Sequence, residues 1–494
     1  MTHSHRYLSS TNNNGKARMK YVALLCFLAM PYMLHPSVIN IPDFFQNYTS
    51  QTFMMPRPAY HNTPTILGRW GTVLAELSGN NVTAAHVTPL YQWSRNWDRS
   101  APYFLFSCKN QLIFAGDATT IHPNDRDVRA EWFGLSDTTS GTFSCNPKQD
   151  VWGAIISIGQ GFGKWTNWKI IKDWWFELAL PILSVKNNLH PAATDPSITQ
   201  ALSSLHITAA RWNLQAERLT GVACMRAILG ATIIDDEKFV LVYHGGVEIP
   251  TERRVRPDNL FSPTLGSNGH VSILNGIFGR LHLRTFPHTC CAAQFFVSLE
   301  HHYYLERDQM RVFDLFGKPW SRYLPVRREG ETHTRPATDI LTRRVTIRPG
   351  GFADISAGFA LTHRKAELEF GYALWAHHHE RINWPEKPYC DKGVEPLSEY
   401  GIAGTGDGKS ASTSTISQLG GDDAVFTPIK ASNIDLFSGI SRGALVNRIF
   451  VNGSYKGHYQ NGNMFIGLGG SIDFPRENSA LRTAQVWLNI GVEM

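Results

Sequence analysis

The feature that most constrains the fold is a regular alternation of apolar and polar residues, which recurs from about Val151 to the end of the chain. In residues 173–185 the even-numbered positions are mostly apolar, whereas the odd-numbered positions are mixed. Successive side chains of a β-strand point to opposite faces, so this pattern predicts a strand with one apolar face. The same pattern recurs in the stretches 223–233, 239–249, 353–361, 366–374, 464–473 and 486–494.

The connections between these predicted strands alternate in length. Short ones are 235–237, 285–287, 363–364 and 457–462, and between them fall the long ones 186–219, 251–269, 305–351 and 377–443. A β-sandwich has no reason to sort its loops by end, whereas membrane barrels combine short periplasmic turns with long extracellular loops. The pattern therefore predicts an all-β fold, a single antiparallel transmembrane β-barrel.

The number of strands is predicted to be about 14, with 12 as the alternative. Ten or eleven strands are clear after Val151, and 69–77, 87–93 and 103–106 are weaker candidates upstream. Chain termini on the same side of the barrel require an even number of strands.

Composition and charge exclude two other classes of protein. The chain is 43% hydrophobic and contains no internal run of 18 apolar residues, which excludes a helical membrane protein. The net charge is +6, but the first twenty residues hold four basic residues and no acid, so that the remaining chain carries only +2. Nucleic acid is therefore not expected as a partner.

The N-terminal region has the layout of a secretory signal. Lys16, Arg18 and Lys20 precede the apolar run 21–34, which is too short to span a bilayer comfortably. We expect residues 1–38 to be a signal peptide, with Met19 as an alternative start and a buried N-terminal helix as the alternative interpretation. Residues 39–62 are expected to form a periplasmic arm or plug, and residues 63–494 the outer-membrane β-barrel.

Charged residues of both signs recur on the inward-facing side of the predicted strands. They indicate either a water-filled lumen or a wall of ion pairs that seals it, and the water-filled lumen is the favoured interpretation. Interleaved glycines such as Gly469 and Gly491 are expected to widen the bore. The predicted pore-lining residues are Glu177, Arg226, His244, Glu248, Arg280, His282, Glu300, His302, Asp354, Glu367, Glu369, Arg448 and Asp473.

The opposite faces of the same strands are expected to contact lipid. Outward aromatic residues near strand ends fit the aromatic girdles of membrane barrels. The predicted lipid-facing residues are Phe176, Leu178, Leu180, Leu241, Ile355, Phe359, Leu368, Phe370, Leu468, Leu488 and Ile490.

Three local motifs suggest chemistry but are better explained as loops or strand ends. Residues 403–410 match a relaxed phosphate-loop pattern, yet no apolar strand precedes them and no helix follows. Adjacent histidines in 377–379 and 301–302 point to opposite faces of a strand and rarely share one metal ion. His270 and Ser272 resemble the motif of outer-membrane phospholipases, but Ser272 faces inward by parity. We expect no catalytic residues, no metal, no cofactor and no enzymatic activity.

Two resemblances support the barrel. The last strand, with apolar residues at alternate positions from Val486 to Met494, resembles the signal by which the barrel-assembly machinery recognises outer-membrane barrels. Residues 170–494 resemble a family of uncharacterised barrels from intracellular bacteria of reduced genome. The resembling pieces are Leu219-Thr220-Gly221, Glu248-Ile249-Pro250-Thr251, Leu260-Phe261-Ser262-Pro263, Gly266-Ser267-Asn268-Gly269-His270 and Gly317-Lys318-Pro319-Trp320-Ser321-Arg322-Tyr323.

The resulting functional prediction is a porin-like channel in the bacterial outer membrane for passive diffusion of small hydrophilic solutes. Outer-membrane lipid and the assembly machinery are the expected partners, and the oligomeric state stays open. The alternatives are a surface adhesion or interaction barrel acting through the loops 305–351 and 377–443, and a transporter of hydrophobic molecules. A secreted soluble all-β enzyme is the alternative outside the membrane class.

Overall fold

A computed structural model of the chain describes residues 50–61, 82–95, 97–164, 171–252, 256–286, 290–384, 396–403, 414–418, 426–459, 462–476 and 478–494. All of these residues belong to one compact unit. In these ranges, no helix has the length and apolar character needed to cross a membrane.

Twelve antiparallel strands, each hydrogen-bonded to the next along the chain, close into a barrel. The last strand pairs with the first, so that Val87 lies opposite Ile490 and no barrel edge is left unpaired. The strands are β1 (Thr83–Ser94), β2 (Lys148–Gly163), β3 (Asp173–Asn188), β4 (Cys224–Asp235), β5 (Phe239–Pro250), β6 (Ser272–Phe286), β7 (Cys291–Tyr304), β8 (Gly351–His363), β9 (Ala366–His377), β10 (Ala444–Tyr459), β11 (Gly462–Pro475) and β12 (Thr483–Glu493).

The barrel closes with the alternative count of 12 strands, so the favoured count of 14 is wrong for this sheet. One further strand, Glu217–Val222, pairs with the second half of β3, whose first half pairs with β4. It lies along the same edge of β3 as β4 and is separated from β4 by Ala223. Of the weak upstream candidates, 87–93 lies in β1, and 69–77 lies outside the described residues. Residues 103–106 overlap the short helix Ala101–Phe104, where a proline occupies the first turn and the aromatic side chains are buried.

The connections are sorted by length as predicted, with one exception: 476–482 has seven residues and lies at the long-loop end, although it is shorter than 164–172 at the other end, which has nine. The connections at one end are 164–172, 236–238, 287–290, 364–365 and 460–461, and those at the other end are 95–147, 189–223, 251–271, 305–350, 378–443 and 476–482. The start of β1 and the end of β12 both lie at the short-turn end, where the backbones of Thr83 and Met494 exchange two hydrogen bonds of 2.9 Å.

The long connections fold together into a cap with its own apolar core. Trp320 lies at the centre of this core and its ring packs edge-on against Phe114, Phe143 and Tyr323. The short strands of the cap region are Gln111–Ala115, Val128–Arg129, Ser140–Ser144, Ala192–Ala193, Arg307–Val312, Asp314–Leu315, Pro325–Arg328, Thr334–Pro336, Thr342–Arg348, Arg381–Asn383, Tyr400–Ile402 and Ile434–Asp435. Its helices are Ala101–Phe104, Pro196–Leu202 and Thr338–Leu341, with 3-10 turns at Trp97–Ser100, Ala130–Phe133, Ser321–Tyr323, Leu397–Glu399, Ala431–Asn433 and Leu436–Gly439.

The apolar faces of the strands point away from the lumen. All the predicted lipid-facing residues have this outward orientation, and Leu468 is 65% exposed. Phe176, Ile355, Phe359, Leu368, Phe370 and Ile490 are also exposed, and Leu178, Leu180 and Leu488 are half-buried. Leu241 also points outward but is only 8% exposed. Its side chain lies with the Phe239 ring beside Gly279, a position that has no side chain of its own.

Candidate functional site

Residues 50–61 lie inside the barrel rather than in its wall. At the cap end, the backbone N–H of Gln51 donates to Tyr103 O (2.9 Å) and that of Thr52 donates to Ser438 O (3.0 Å). Farther along, the carbonyl oxygen of Ala59 accepts a hydrogen bond from Gln485 Nε2 of β12 (3.0 Å). The segment also contacts inward side chains of β5, β7, β8 and β11, which come from several sides of the ring. It therefore occupies the lumen.

The first half of the segment is tied to the cap by a buried polar network. The Ser50 hydroxyl donates to Phe104 O (2.5 Å) and accepts hydrogen bonds from Arg322 Nη2 (2.7 Å) and Trp320 Nε1 (3.1 Å). Arg322 also donates to Asp314 Oδ2 at 2.8 Å. Because these groups are shielded from water, each hydrogen bond is costly to leave unmade.

Arg57 is the central cation of the second half. Its guanidinium forms an ion pair with Asp354 of β8, lies 3.9 Å from Asp473 of β11, and donates a 2.8 Å hydrogen bond to His61 O. Asp473 is held in addition by a bidentate interaction with Arg448 of β10, at 2.5 and 2.7 Å. Arg57 thus joins the segment to two strands on one side of the barrel.

A second group of side chains surrounds Glu248 of β5. Tyr60 donates to Glu248 Oε1 at 2.6 Å, and His61 Nε2 lies 3.4 Å from Oε2. His302 of β7 lies on the other side, with Nδ1 3.5 Å from the same Oε2. His302 Nε2 in turn contacts Glu300 Oε1 at 2.7 Å. Two imidazoles and one carboxylate from three separate elements therefore converge in the lumen.

The predicted pore-lining residues all lie on the inner face, where they form three groups. Asp354, Arg448 and Asp473 surround Arg57, and Arg226 and His244 contact Glu300 at 2.5 and 3.3 Å. Arg280, His282, Glu367 and Glu369 lie toward the short-turn end, where Glu369 accepts a 2.9 Å hydrogen bond from Asn452. Glu177 lies inward on β3, within the electrostatic field of Arg226.

The burial of these residues differs from the favoured expectation of a water-filled lumen. Ten of the thirteen are at most 6% exposed, while His244, Arg280 and His282 are half-buried. Inward aromatic side chains, which the functional prediction did not use, fill much of the space between the charges: Trp175, Phe296, Phe352, Trp375, Phe450, Phe465 and Trp487. In the conformation described, the lumen is packed, as in the alternative interpretation.

Two inward glycines show how the rings are accommodated. A Cβ added at Gly469 would lie 2.4 Å from the ring of Trp487, and one added at Gly491 would lie 2.1 Å from the ring of Phe465. These glycines were expected to widen the bore, and here they provide the space that neighbouring rings fill. The sequence alternation predicted that Trp487 points inward, but it did not predict that its ring lies over Gly469 on the neighbouring strand β11.

The described residues do not bring the local motifs together in the arrangements that the sequence suggested. His270 contacts Leu305 O and Gln309 Nε2, whereas Ser272 contacts His302 at 3.3 Å, so the phospholipase-like pair is not formed. His377 Nδ1 donates to the neighbouring His378 O at 2.7 Å, and Glu380 pairs with Arg311 at 3.1 Å. Most of the phosphate-loop-like stretch, 404–410, lies outside the described residues.

The cap carries one carboxyl whose titration should affect stability. Burial raises the pKa of Asp435 to about 6, and the nearby Asp314 carboxylate adds to the effect. A folded-state pKa above the ordinary value means that stability is full at low pH and is lost as the pH rises through about 6.

We therefore expect the substitution Asp435→Asn to stabilise the cap increasingly as the pH rises from 4 to 8. The asparagine Oδ1 can still accept the hydrogen bond from Phe437 N. The stability difference from the unsubstituted chain should grow to at most about 3 kcal/mol, because one pKa unit corresponds to about 1.4 kcal/mol. Urea unfolding followed by tryptophan fluorescence measures it. Asp258→Asn, at an exposed position, is the control; a difference of equal size there would contradict the explanation.

Comparison with protein-family models and with curated proteins gives no match. Among solved structures, an outer membrane channel from Pseudomonas putida F1 is similar over 85% of this chain and 98% of its own, at 9% identity and a TM-score of 0.42. The transport unit of the autotransporter AIDA-I from Escherichia coli matches over 89% and 99%, at 7% identity and a TM-score of 0.32. A Pseudomonas aeruginosa FadL homologue matches over 85% and 91%, at 8% identity and a TM-score of 0.28. At such low identity and TM-scores, function has to be inferred from the residues of this chain.

Proposed function

We propose that the barrel spans the bacterial outer membrane. Its outward face is apolar around the ring, with exposed side chains such as Ile156 and Ile158 on β2, Phe359 on β8 and Leu468 on β11. A soluble protein rarely exposes so continuous an apolar surface, because each such side chain is more stable out of water. This surface argues against a soluble all-β enzyme.

The height of the apolar band supports this location. Tyr91, Trp93 and Trp152 cluster on the outward face near the long-loop end. The centroid of the Tyr91 ring lies 5.2 Å from that of Trp93 and 4.2 Å from that of Trp152. Phe162 lies at the other end of β2, ten residues after Trp152. Ten residues extend ~33 Å at about 3.3 Å per residue, and a strand tilt of about 40° reduces this to ~25 Å across the membrane. The apolar band of outer-membrane barrels is about 25 Å tall.

We propose that the protein is a channel for small hydrophilic solutes whose described state is closed by residues 50–61 and the cap. The observation that carries this proposal is the pairing of inner-wall charges with a segment that is not part of the wall, above all Arg57 with Asp354. If the barrel were only a membrane anchor with a sealed lumen, apolar side chains could fill that lumen, since burying ion pairs costs free energy. Ionisable groups on the wall suit a lumen that is hydrated in another state.

Conductance in planar bilayers tests this function. We expect the full chain to be largely silent, and a variant that lacks residues 50–61 and has 305–350 replaced by a short turn to show stepwise conductance. Each variant must first migrate as a folded barrel, faster without boiling than after boiling. A folded double-deletion barrel that stays silent would overturn the channel, and the single deletions report which element closes it.

A surface-interaction role is the second candidate, and exposed apolar side chains on the cap favour it. Leu205 is 82% exposed and Phe316 is 66% exposed, in the connections 189–223 and 305–350. If the cap binds a partner, Leu205→Ser with Phe316→Ser should weaken cell-surface binding while barrel migration is unchanged. A hydrophobic-molecule transporter has less support, because the inner wall is charged along much of its length.

A further inference from the structure

Three metal-binding side chains meet deep in the lumen from parts of the chain that are distant in sequence. His61 comes from the 50–61 segment, Glu248 from β5 and His302 from β7, and all three are buried. Their ligand atoms lie within 4.8 Å of one another. The two contacts to Glu248 Oε2 measure 3.4 Å from His61 Nε2 and 3.5 Å from His302 Nδ1.

Two of these separations match the geometry of four-coordinate zinc. Zinc binds nitrogen and oxygen ligands at about 2.0–2.1 Å, which places neighbouring ligand atoms of a tetrahedron ~3.3 Å apart. The two shorter contacts come within a few tenths of an ångström of that value. Two imidazoles and one carboxylate are also the ligand set of zinc sites that leave a fourth position for water.

The hydrogen bonding around the cluster leaves the candidate ligand atoms of two of the three residues unsatisfied. Neither ring nitrogen of His61, which is 2% exposed, makes a hydrogen bond, and neither does Glu248 Oε2. Buried polar atoms of this kind are rare in folded proteins and need an explanation. If His302 Nε2–H donates to Glu300, then Nδ1 carries a lone pair, which lies 3.3 Å from the Ser272 hydroxyl and 3.5 Å from Glu248 Oε2. A cation between the three ligand atoms would satisfy Glu248 Oε2 and one nitrogen of His61, which have no hydrogen bond.

The surrounding side chains provide the support that metal sites require. The contact of His302 with Glu300 fixes the ring in the way that carboxylates orient metal-bound histidines, and Tyr60 holds the other oxygen of Glu248. The carboxylates Glu177, Glu248 and Glu300 surround the single guanidinium of Arg226. With neutral imidazoles these four groups leave two negative charges, which one dication would balance.

We propose that His61, Glu248 and His302 bind one divalent transition-metal ion of the zinc type. The ion bridges the 50–61 segment to β5 and β7. This inference goes beyond the channel function, because it concerns binding and holds whether or not the barrel conducts.

Metal content and affinity test the proposal. The full chain, folded in detergent, is stripped with a chelator, loaded with Zn²⁺ and dialysed, and its zinc is counted by mass spectrometry. We expect one zinc ion per chain, and for Co²⁺ the visible absorption of a four-coordinate site. Each of His61→Gln, Glu248→Gln and His302→Gln should remove binding, and Glu300→Gln should weaken it about 10- to 100-fold.

His301→Gln is the matched control, because His301 is the next residue on β7 and points to the opposite face. It should bind zinc as the unsubstituted chain does. His61 lies outside the barrel wall, so we expect the His61→Gln chain to fold as a closed barrel. Gel mobility without boiling verifies this. A folded chain that binds no zinc, or a His61→Gln chain that binds it as tightly as the His301→Gln chain, would overturn the site. Neither result bears on conductance, so the two proposals fail separately.

Discussion

Replacing Arg57 with methionine should release residues 50–61 from the barrel wall. The substitution removes the cation that pairs with Asp354 and leaves a buried carboxylate without its partner. Breaking a buried ion pair in this way costs about 3–5 kcal/mol. Hydrogen exchange of the 50–61 amides should therefore be at least ~100-fold faster than in the unsubstituted chain, since 1.4 kcal/mol corresponds to about tenfold.

The partner residue provides the decisive comparison. Adding Asp354→Asn to Arg57→Met removes both charges, and slow exchange should be largely restored because no buried carboxylate is left unpaired. Arg381→Met, at an exposed position of the cap, is the control and should leave the exchange of residues 50–61 unchanged. Equal exchange in the Arg57→Met chain and the control would contradict the anchoring role of this ion pair.

Replacing Trp320 with alanine should unfold the cap while the barrel stays closed. The Trp320 side chain is fully buried, and its Nε1 donates to Ser50 Oγ and Phe104 O, both at 3.1 Å. Loss of a buried tryptophan costs about 3–5 kcal/mol through lost burial and the cavity that remains. Trp320 has a positive φ of 62°, unusual for a bulky residue, so the ring contacts evidently outweigh the strained backbone.

Limited proteolysis of the folded chain in detergent measures this effect. We expect rapid cleavage within 305–350 in the Trp320→Ala chain, with gel mobility still typical of a closed barrel. Trp152→Ala removes an outward tryptophan that is 61% exposed, so it should leave cleavage of the cap unchanged. If the Trp320→Ala cap resists the protease as well as the control does, its core does not depend on this residue.

The residue pattern alone determined the barrel and the orientation of its strands. Alternation with period two assigns each side chain to a face, so the inward orientation of Glu177, Asp354 and Asp473 could be predicted, as could the outward orientation of Phe370 and Leu468. Connection lengths likewise separated the two ends of the barrel. The strand count was less certain, because Tyr103 and Phe104 look like a strand but lie in a cap helix. The resemblance to barrels from reduced-genome bacteria stays a prediction.

Only the tertiary structure decided what occupies the lumen. Parity correctly places His301 and His302 on opposite faces, and on that ground the sequence analysis expected no metal there. It could not reveal that His61, about 240 positions earlier in the chain, would meet His302 beside Glu248. Strand periodicity is a local property of the backbone, whereas contacts across a barrel depend on how the ring closes and which segment enters it. The inward or outward orientation of each residue could therefore be predicted from its neighbours in sequence, but the residues that it contacts across the lumen could not.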